Sequence, residues 1–383
     1  MRVAVAGAGV GGLALALALH ARGIAVRLVE RAAELGEAGA GVQLGPNAVK
    51  VLDRLGLGEA LRAAAFEPEA AEVRDLASGG LLLRNPLGEA ARARWGAPYL
   101  QLHRSDLQAL LLAALRERGA AELTLGRPVE AMDDAGALVL AGGERIAADV
   151  AVAADGVRSA AAASLLGDEP PRFTGWTAWR AVVPRERVAA AVPPVAAVWT
   201  APDRHLVHYP VRGGREVNLV AVTRDRARRD EAWTTRGDPA ELARRFADAP
   251  APGPQLIAGV GEVWRWALYD RPPRPRWSRG RATLLGDAAH PMLPFLAQGA
   301  AVAVEDAWVL AARLGEGAPP EAALARYEAD RRARTARVQA WSRRNARLFH
   351  LPPPAARLLF GAAALAGDPA ARFDWLYGWE PPA

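Results

Sequence analysis

The sequence predicts an α/β protein in which a Rossmann-like domain is interleaved along the chain with a β-sheet domain and followed by a helical C-terminal region. Short apolar runs that end near residues 7, 155 and 286 in glycine or aspartate predict buried parallel strands. Residues 172–222 are rich in valine and tryptophan, which favours a separate sheet. Residues 321–349 are rich in alanine and arginine, which favours a long helix.

The composition is that of a globular protein. Of its 383 residues, 51% are hydrophobic and 23% are charged, so the chain can bury the cores of two packed domains. Cysteine is absent, which excludes disulfides, thiolate metal sites and cysteine nucleophiles. Other metal ligands show no clustered pattern, so we expect no metal site. The lack of cysteine fits a cytoplasmic protein.

The net charge of +6 comes almost entirely from arginine, since Lys50 is the only lysine. The arginines are spread among acidic residues rather than gathered in one block, which argues against nucleic acid as a partner. Glycines interrupt the apolar N-terminus where a strand would turn into a helix, and no other stretch offers about 20 uninterrupted apolar residues. We therefore expect neither a secretory segment nor a membrane span.

The first thirty residues predict a βαβ unit. Its strand, helix and second strand are expected at Val3–Ala6, Leu13–Ala21 and Ile24–Val29. Gly7 allows the tight turn, Gly9 lets a pyrophosphate approach the backbone, and Gly12 lets helix and strand pack closely. Glu30 ends the second strand, where its carboxylate can accept hydrogen bonds from the ribose of an adenosine. The motif predicts a dinucleotide cofactor without separating NAD from FAD.

Two later apolar strands deliver an aspartate to their ends, at Asp155-Gly156 and at Gly286-Asp287. A loop rich in proline and glycine follows the second of these and leads into a helix from about Ala301. Asp287 can accept a hydrogen bond from a ribityl hydroxyl. Free amides at Gly299 and Ala300 offer a place for the negative charge of a reduced flavin. These segments favour FAD.

An amphipathic helix is predicted from about residue 105 to residue 118. Ser105 or Asp106 is its expected N-cap, because short polar side chains satisfy the free amides of a first helical turn. Arg104, next to the start of this helix, is placed to reach back to the dinucleotide.

Together these motifs make the chain resemble the class A flavoprotein monooxygenases of the para-hydroxybenzoate hydroxylase fold, and most of all their salicylate hydroxylase-like branch. The motifs follow the family's order over almost the whole chain. The matching segments are the glycine turn, Gly39–Asn47, His103-Arg104, Asp155-Gly156, Gly286–Pro291 and Trp375–Gly378.

The resemblance implies that the glycine turn and Glu30 hold the ADP part of FAD, that Arg104 reaches its ribityl-phosphate region, and that Asp287 binds the ribityl chain. It also implies that Asp155-Gly156 supports FAD and touches the nicotinamide cofactor. The other implied contacts are Arg31 and Val42 along FAD, and Pro294, Gln298, Gly299 and Ala300 around the flavin ring. Ala162 stands where the family usually has an arginine, whose contribution is therefore missing or supplied by Arg158.

The resemblance further implies an FAD-dependent monooxygenase. NADH or NADPH would reduce the flavin, and O2 would form a flavin C4a-hydroperoxide that hydroxylates a small aromatic, phenolic compound. Three alternatives remain open. They are a larger polycyclic or non-phenolic substrate that is hydroxylated, epoxidised or oxidised in the ring, an FAD oxidase or dehydrogenase without oxygen transfer, and a flavin-binding protein without turnover.

The segment His205–Pro210 supplies the substrate-side candidates. On a strand, His205 and Tyr209 share one face while His208 takes the other. The resemblance implies that His205 and Tyr209 face the substrate, as catalytic residues alongside Pro294 and Gln298. His205 would take the phenolic proton, since histidine titrates near neutral pH. The candidates for pairing with a substrate carboxylate are Arg180, Arg204 and Arg212.

The predicted FAD-binding domain is discontinuous and comprises residues 1–71, 99–170 and 267–320. The substrate domain comprises residues 72–98 and 171–266. The C-terminal helical region, residues 321–383, is expected to pack back on the flavin domain. We expect a monomer or a homodimer.

Overall fold

The computed structural model describes residues 1–36, 40–225, 235–365 and 367–383, so Gly39 of the quoted motifs lies outside the described residues. The strands are β1 Arg2–Ala6, β2 Ala25–Val29, β3 Gly41–Leu44, β4 Ala70–Asp75, β5 Leu81–Pro86, β6 Leu100–His103, β7 Glu122–Thr124, β8 Val129–Met132, β9 Ala137–Leu140, β10 Arg145–Ala147, β11 Val150–Ala153, β12 Arg172–Pro184, β13 Val195–Ala201, β14 Arg204–Val211, β15 Glu216–Arg224, β16 Thr235–Arg236, β17 Trp264–Asp270 and β18 Ala282–Leu284. The helices are α1 Val10–His20, α2 Pro46–Arg54, α3 Gly58–Ala64, α4 Glu89–Trp95, α5 Arg104–Glu117, α6 Ala160–Leu166, α7 Pro239–Arg245, α8 Gly253–Ala258, α9 Gly299–Gly315, α10 Pro320–Leu348, α11 Pro353–Leu365 and α12 Asp374–Tyr377.

A parallel sheet of the order β18-β11-β1-β2-β7 forms the first layer. Its central strands are buried on both faces, because α1 covers one face and the small antiparallel sheet β10-β9-β8 covers the other. This burial explains why the strands read as unbroken apolar runs. The residues predicted as the first βαβ unit form β1, α1 and β2; the two strands end where predicted, and the other ends are shifted by one to three residues.

A second, eight-stranded sheet has the order β16-β17-β12-β15-β14-β13-β4-β5 and is antiparallel except where β13 meets β4. One of its faces buries a core of its own with α7 and α8. The other face packs against the loop that precedes α9 and against the end of α10. A short two-stranded ladder, β3-β6, lies beside this second face.

The long helix expected at residues 321–349 is α10, which spans 29 residues. It packs on α9, as expected for a C-terminal region that packs back on the flavin domain. The C-terminal end of α10 also reaches the second sheet. The next helix, α11, lies against β5 of that sheet. The α/β fold with two interleaved sheets and a helical C-terminal region is thus confirmed. The residue boundaries of the domains stay a prediction.

Candidate active site

The turn between β1 and α1 has two positions at which only glycine fits. A Cβ at Gly7 would lie 2.4 Å from the carbonyl oxygen of Ala154, and a Cβ at Gly12 would lie 1.9 Å from the carbonyl oxygen of Gly7. Around Gly9, in contrast, no atom of the described residues would lie within 4 Å of a Cβ. The turn is therefore closed toward the sheet and open at Gly9, which suits a phosphate at the first amides of α1.

Glu30 follows β2 directly and lies beside this turn. One of its carboxylate oxygens accepts a hydrogen bond from the amide of Ala8 at 2.7 Å, and the other accepts one from the amide of Ala32 at 2.9 Å. These two bonds fix the carboxylate next to the exposed Arg31. Glu30 thus occupies the position from which an acidic residue can reach an adenosine ribose.

Asp155, just beyond β11, carries a buried oxygen, Oδ1, for which the described residues provide no hydrogen-bond partner. Burial raises the pKa of its carboxyl group, although Ser159 and the charge of Arg31 oppose the shift. At Gly156, where φ is +87°, a Cβ would meet no atom within 4 Å. A buried acceptor in need of a donor, next to an open stretch of backbone, fits a bound group that carries hydroxyls.

Ala162, at the position where the resemblance implies an arginine, lies in α6 with only 2% of its surface exposed. Its amide donates a hydrogen bond to the Ser159 hydroxyl at 2.8 Å, which caps the helix. An arginine at this buried position would require the core to repack. The exposed Arg158 stays the candidate for the missing contribution.

Asp287 comes close to the amino-terminal turn, although the two are far apart in the sequence. A Cβ at Gly11 would lie 2.7 Å from the side chain of Leu285, which precedes the Gly286-Asp287 turn. Burial raises the pKa of the Asp287 carboxyl group, and the charges of His290 and Arg104 oppose the shift. Four of the predicted motifs therefore converge at one edge of the parallel sheet, as a single dinucleotide bound to all of them would require.

The predicted N-cap of α5 is wrong. The helix begins at Arg104, and its cap is His103, whose Nδ1 accepts a hydrogen bond from the amide of Ser105 at 3.3 Å. Asp106 instead pairs with Arg212 of the second sheet at 2.8 Å. The prediction fails because the carboxylate of Asp106, expected to cap α5, pairs instead with Arg212, a residue that is distant in the sequence.

The loop before α9 ends in a helix start that is open to a ligand. Pro294–Leu296 forms a short turn, Ala297 has φ of +53°, and Gln298 precedes the helix without forming a side-chain cap. The amides of Gly299 and Ala300 have no acceptor within the helix, as in any first turn, and both residues are only half-buried. The positive end of a 17-residue helix thus faces the place expected for the negative edge of a reduced flavin.

A buried charge cluster, which we define as Glu305, Asp306 and Arg331, lies beneath this loop. The guanidinium of Arg331 is 2.6 Å from the Glu305 carboxylate and 2.7 Å from that of Asp306, and all three side chains are at most 1% exposed. Burial alone would raise the pKa of both carboxyl groups. The charge of Arg331 lowers the pKa of Glu305, and the charges of His290 and Arg331 lower that of Asp306, below their ordinary values.

The cluster is joined to the loop before α9 and to the Gly286-Asp287 turn, the two turns that are predicted to face the flavin. Asn47 donates hydrogen bonds to Glu305 at 2.6 Å and to the side-chain oxygen of Gln298 at 3.1 Å. The amide of Gly286 donates to Asp306 at 3.2 Å. Sequence reasoning missed Asn47 and Arg331 in this role. The one available signal was the acidic pair inside an otherwise apolar helix, which predicts a buried cationic partner.

His205 and Tyr209 lie on the face of the second sheet that looks toward this loop, and His208 lies on the opposite face. His205 is 1% exposed, with its ring centroid 5.2 Å from that of Phe295. Tyr209 is buried beside β3, where a Cβ at Gly41 would lie 2.5 Å from its hydroxyl. Tyr209 follows His205 by four positions along the strand, a distance of roughly 13 Å, so the two residues lie at opposite ends of one surface.

Arg180 lies on this surface, next to the half-buried Val220. Its guanidinium is 4.1 Å from the centre of the Trp266 ring, and its charge acts on the hydroxyl of Tyr209, whose pKa burial raises. The other two candidate arginines are placed elsewhere. Arg204 pairs with Asp248 at 2.8 Å over the ring of Phe246 in the opposite core, and Arg212 pairs with Asp106 and Glu216.

Two further properties concern the described ranges of the chain. In these ranges, no group of three or more histidine, aspartate or glutamate side chains is placed so that it could hold a metal ion. None of their helices combines the length and the apolar character that a membrane crossing needs.

Comparison with known proteins agrees with this geometry. Residues 1–342 match the FAD binding domain family. The chain is 40% identical to a 3-hydroxybenzoate 6-hydroxylase of Polaromonas naphthalenivorans over 99% of this chain and 96% of the relative. It is 38% identical to a 3-amino-4-hydroxybenzoate 2-monooxygenase of Streptomyces platensis, again over 99% and 96%. A salicylate hydroxylase in complex with its substrate has the same fold, with a TM-score of 0.83 and 30% identity over 100% of this chain and 98% of that one.

These findings confirm the predicted resemblance, cofactor and enzyme class. The chain belongs to the FAD binding domain family and is a class A, FAD-dependent monooxygenase that uses NAD(P)H as reductant and O2 as co-substrate.

Proposed function

We propose that this monooxygenase hydroxylates a small phenolic compound that also carries a carboxylate. The contact between His205 and Phe295 carries the proposal, because it brings the histidine of the second sheet against the loop that leads into α9. The three relatives are named for 3-hydroxybenzoate, 3-amino-4-hydroxybenzoate and salicylate, and these compounds share a phenol and a carboxylate. That shared chemistry supports the same substrate class here.

In this proposal FAD lies along the edge where the motifs converge, and when bound it supplies the redox and oxygen-transfer chemistry. The open backbone at Gly9 receives the phosphates, Glu30 binds the ribose of the adenosine, and Asp287 binds the ribityl chain. The start of α9 stabilises negative charge on the flavin. The remaining proposed FAD contacts are Gly7, Gly12, Arg31, Val42, Arg104, Asp155, Gly156, Gly286, Pro294, Gln298, Gly299 and Ala300.

His205 is the proposed general base for the phenol. Burial, and to a lesser degree His350, lower the pKa of its imidazole well below the usual value, so near neutral pH the ring is neutral and has a lone pair available. Because the same burial makes the imidazole a weaker base, the transfer depends on the phenolate that forms beside the imidazolium and stabilises its positive charge. Loss of the phenolic proton raises the electron density of the aromatic ring and so favours attack on an electrophilic oxygen. The rings of Phe295 and Phe349 pack against His205 and exclude water from it.

Arg180 is the proposed partner of the carboxylate, and Tyr209 is proposed to bound the same surface. In register, Arg180 is paired with Val220, and Val220 is paired with Val207, which stands between His205 and Tyr209 on β14. A guanidinium held over an aromatic ring is well suited to bidentate carboxylate recognition. A hydroxybenzoate would then have its hydroxyl directed to one end of the surface and its carboxylate to the middle.

Steady-state NAD(P)H oxidation by the FAD-loaded protein tests this function. The panel is 3-hydroxybenzoate, salicylate and 3-amino-4-hydroxybenzoate, with 3-methylphenol as the control lacking a carboxylate and benzoate as the control lacking a phenol. We expect stimulation only when both groups are present, and product that contains one oxygen atom from isotopically labelled O2. Stoichiometric H2O2 without oxygenated product for every compound would instead indicate an oxidase.

We also propose that the protein acts in the cytoplasm as a monomer or a homodimer. The absence of cysteine supports a reducing compartment. Light scattering after size-exclusion chromatography tests the assembly, and a mass larger than two chains would contradict it.

A further inference from the structure

His205 is paired with a second histidine that sequence reasoning did not single out. The Nδ1 atom of His205 lies 3.0 Å from the Nε2 atom of His350. The other ring nitrogen of His350, Nδ1, lies 2.6 Å from the carbonyl oxygen of Ala346. Since a carbonyl oxygen only accepts hydrogen bonds, Nδ1 of His350 must carry a hydrogen.

This arrangement fixes where each hydrogen lies when both rings are neutral. A neutral His350 with its hydrogen on Nδ1 has a lone pair on Nε2, so it accepts a hydrogen bond there. The donor is then Nδ1–H of His205, which leaves the lone pair of His205 on Nε2. Among the described residues, the ring of His205 makes its hydrogen bond through Nδ1, which leaves Nε2 for the substrate.

Both rings are neutral around neutral pH. Burial lowers the pKa of His350 to about 4, and burial together with the neighbouring His350 lowers the pKa of His205 well below its usual value. The charged groups that face His350 are Arg224 and Asp203, whose effects on its pKa oppose each other. The ring of His205, besides that of His350, contacts the uncharged rings of Phe295 and Phe349, and its neighbours in strand register, Thr200 and Val222, are also uncharged.

The His350 ring is itself held in place. It stacks on Trp176 with ring centroids 3.7 Å apart and planes inclined by 15°. It lies just beyond the end of α10, and its bond to the Ala346 carbonyl satisfies one of the free acceptors of that helix terminus. Stacking, the carbonyl bond and the contact with His205 leave the ring little freedom to rotate.

We propose that His350 is a positioning residue that fixes the tautomer of His205, so that Nε2 of His205 receives the phenolic proton. The inference rests on the proposed function of His205. In this step the phenolic O–H bond breaks and an N–H bond forms at His205 Nε2. The substrate becomes a phenolate and His205 becomes an imidazolium that still donates its Nδ1–H to His350. Without His350, neutral His205 can place its hydrogen on Nε2, where it can no longer accept a proton.

Two variants at position 350 separate this role from packing. In His350→Phe the ring can still stack on Trp176, but the acceptor for His205 is lost. In His350→Gln the amide oxygen can take the place of Nε2. We expect His350→Phe to lower kcat for hydroxylation about tenfold to a hundredfold, up to the lower end of general-base effects, because His205 itself remains. The substrate KM should change little, and the share of NAD(P)H oxidised to H2O2 should rise. His350→Gln should recover most of the lost rate.

His205→Gln provides the reference. If His205→Gln hydroxylates like the wild type, the proposed function of His205 fails, and this inference fails with it. If His205→Gln is impaired but His350→Phe is not, only the role of His350 is overturned. The same holds if FAD-loaded His350→Gln hydroxylates as slowly as His350→Phe. In the His205→Gln background, His350→Phe should have no further effect on kcat.

Should His350→Phe fail to fold, nitrogen NMR of the histidine rings in the wild-type protein still decides the matter. Protonated and unprotonated ring nitrogens have distinct chemical shifts. We expect His205 to be neutral with hydrogen on Nδ1 at neutral pH. Hydrogen on Nε2 would overturn the proposal.

Discussion

The cofactor side and the substrate side of the candidate active site are assembled in different ways. On the cofactor side, several of the proposed contacts lie within short contiguous motifs at the ends of parallel strands, as Gly7–Gly12 does after β1 and Gly286-Asp287 after β18. On the substrate side, the contacts join residues that are far apart in the chain, such as His205 with His350, separated by 145 residues. The first kind of site can be recognised from a linear pattern, whereas the second exists only once the two sheets and α10 have packed together.

The two sides also differ in electrostatics. The cofactor side rests on the buried charge cluster, in which Arg331 compensates two carboxylates. The proposed catalytic end of the substrate side is aromatic, and its histidines are kept neutral by burial. The predicted cofactor side is therefore built over mutually compensated charges, and the predicted substrate side around neutral rings. The predictions below test this contrast.

The largest effect is expected from Arg331→Met. This change removes the cation that Glu305 and Asp306 share, although Glu305 keeps Arg334 and Asp306 keeps His290 as a partner. Breaking a buried pair typically costs about 3–5 kcal/mol, and we expect a loss near the lower end of that range because these partners remain. Urea denaturation of the FAD-free protein measures the loss of unfolding free energy. Arg62→Met is the control, because Arg62 pairs with Asp53 near the surface, where an ion pair contributes at most about 1 kcal/mol. Equal losses in the two variants would contradict a special role for the cluster.

The next largest effect is expected from Asp287→Asn. The variant should fold normally but bind FAD about 10 to 100 times more weakly, as expected when a charged hydrogen-bond acceptor is lost. Titration of the FAD-free protein, followed by flavin fluorescence, gives the affinity. Asp134→Asn is the control, since Asp134 is exposed and lies next to Arg279. Wild-type affinity in Asp287→Asn would remove Asp287 from the cofactor site.

The contrast between the two sides also explains how much the sequence predicted. The glycine turn, Glu30 and Asp287 could be recognised because strand ends mark them locally. The shared face of His205 and Tyr209 followed from the alternation of a strand. The partner His350 could not be found, because nothing near it in the sequence marks the end of α10 as a neighbour of β14.

The two remaining errors have the same physical origin. The N-cap of α5 was misassigned because Asp106 pairs with Arg212, which lies 106 residues away. The buried charge cluster went unnoticed because Arg331 comes from α10, a different helix from the one that carries Glu305. In both cases an acidic side chain pairs with an arginine that is distant in the sequence, and the local sequence around the acid does not identify that arginine.

A smaller and more selective effect is expected from Arg180→Gln. For substrates with a carboxylate, kcat/KM should fall about 10- to 30-fold, as expected for a lost charge-assisted contact that is partly exposed to solvent. For 3-methylphenol it should change less than about twofold, since a neutral phenol gains nothing from the guanidinium. Arg204→Gln, on the opposite face of the sheet, is the matched control. A loss of similar size for both substrate types would show that Arg180 acts through packing.

The smallest effect concerns pH. Because the pKa of His205 is lowered, the ring binds a proton only at a pH well below 6.5, and the neutral ring is the active form. A base with the ordinary pKa of about 6.5 would roughly double its neutral fraction between pH 6.5 and pH 8. With the lowered pKa, the His205 contribution to kcat/KM should be almost flat over this range and should fall only at more acidic pH. Rate profiles of the wild type and His205→Gln separate this contribution from substrate ionisation, and a doubling confined to the wild type would show that the ring is not held in its neutral form by burial.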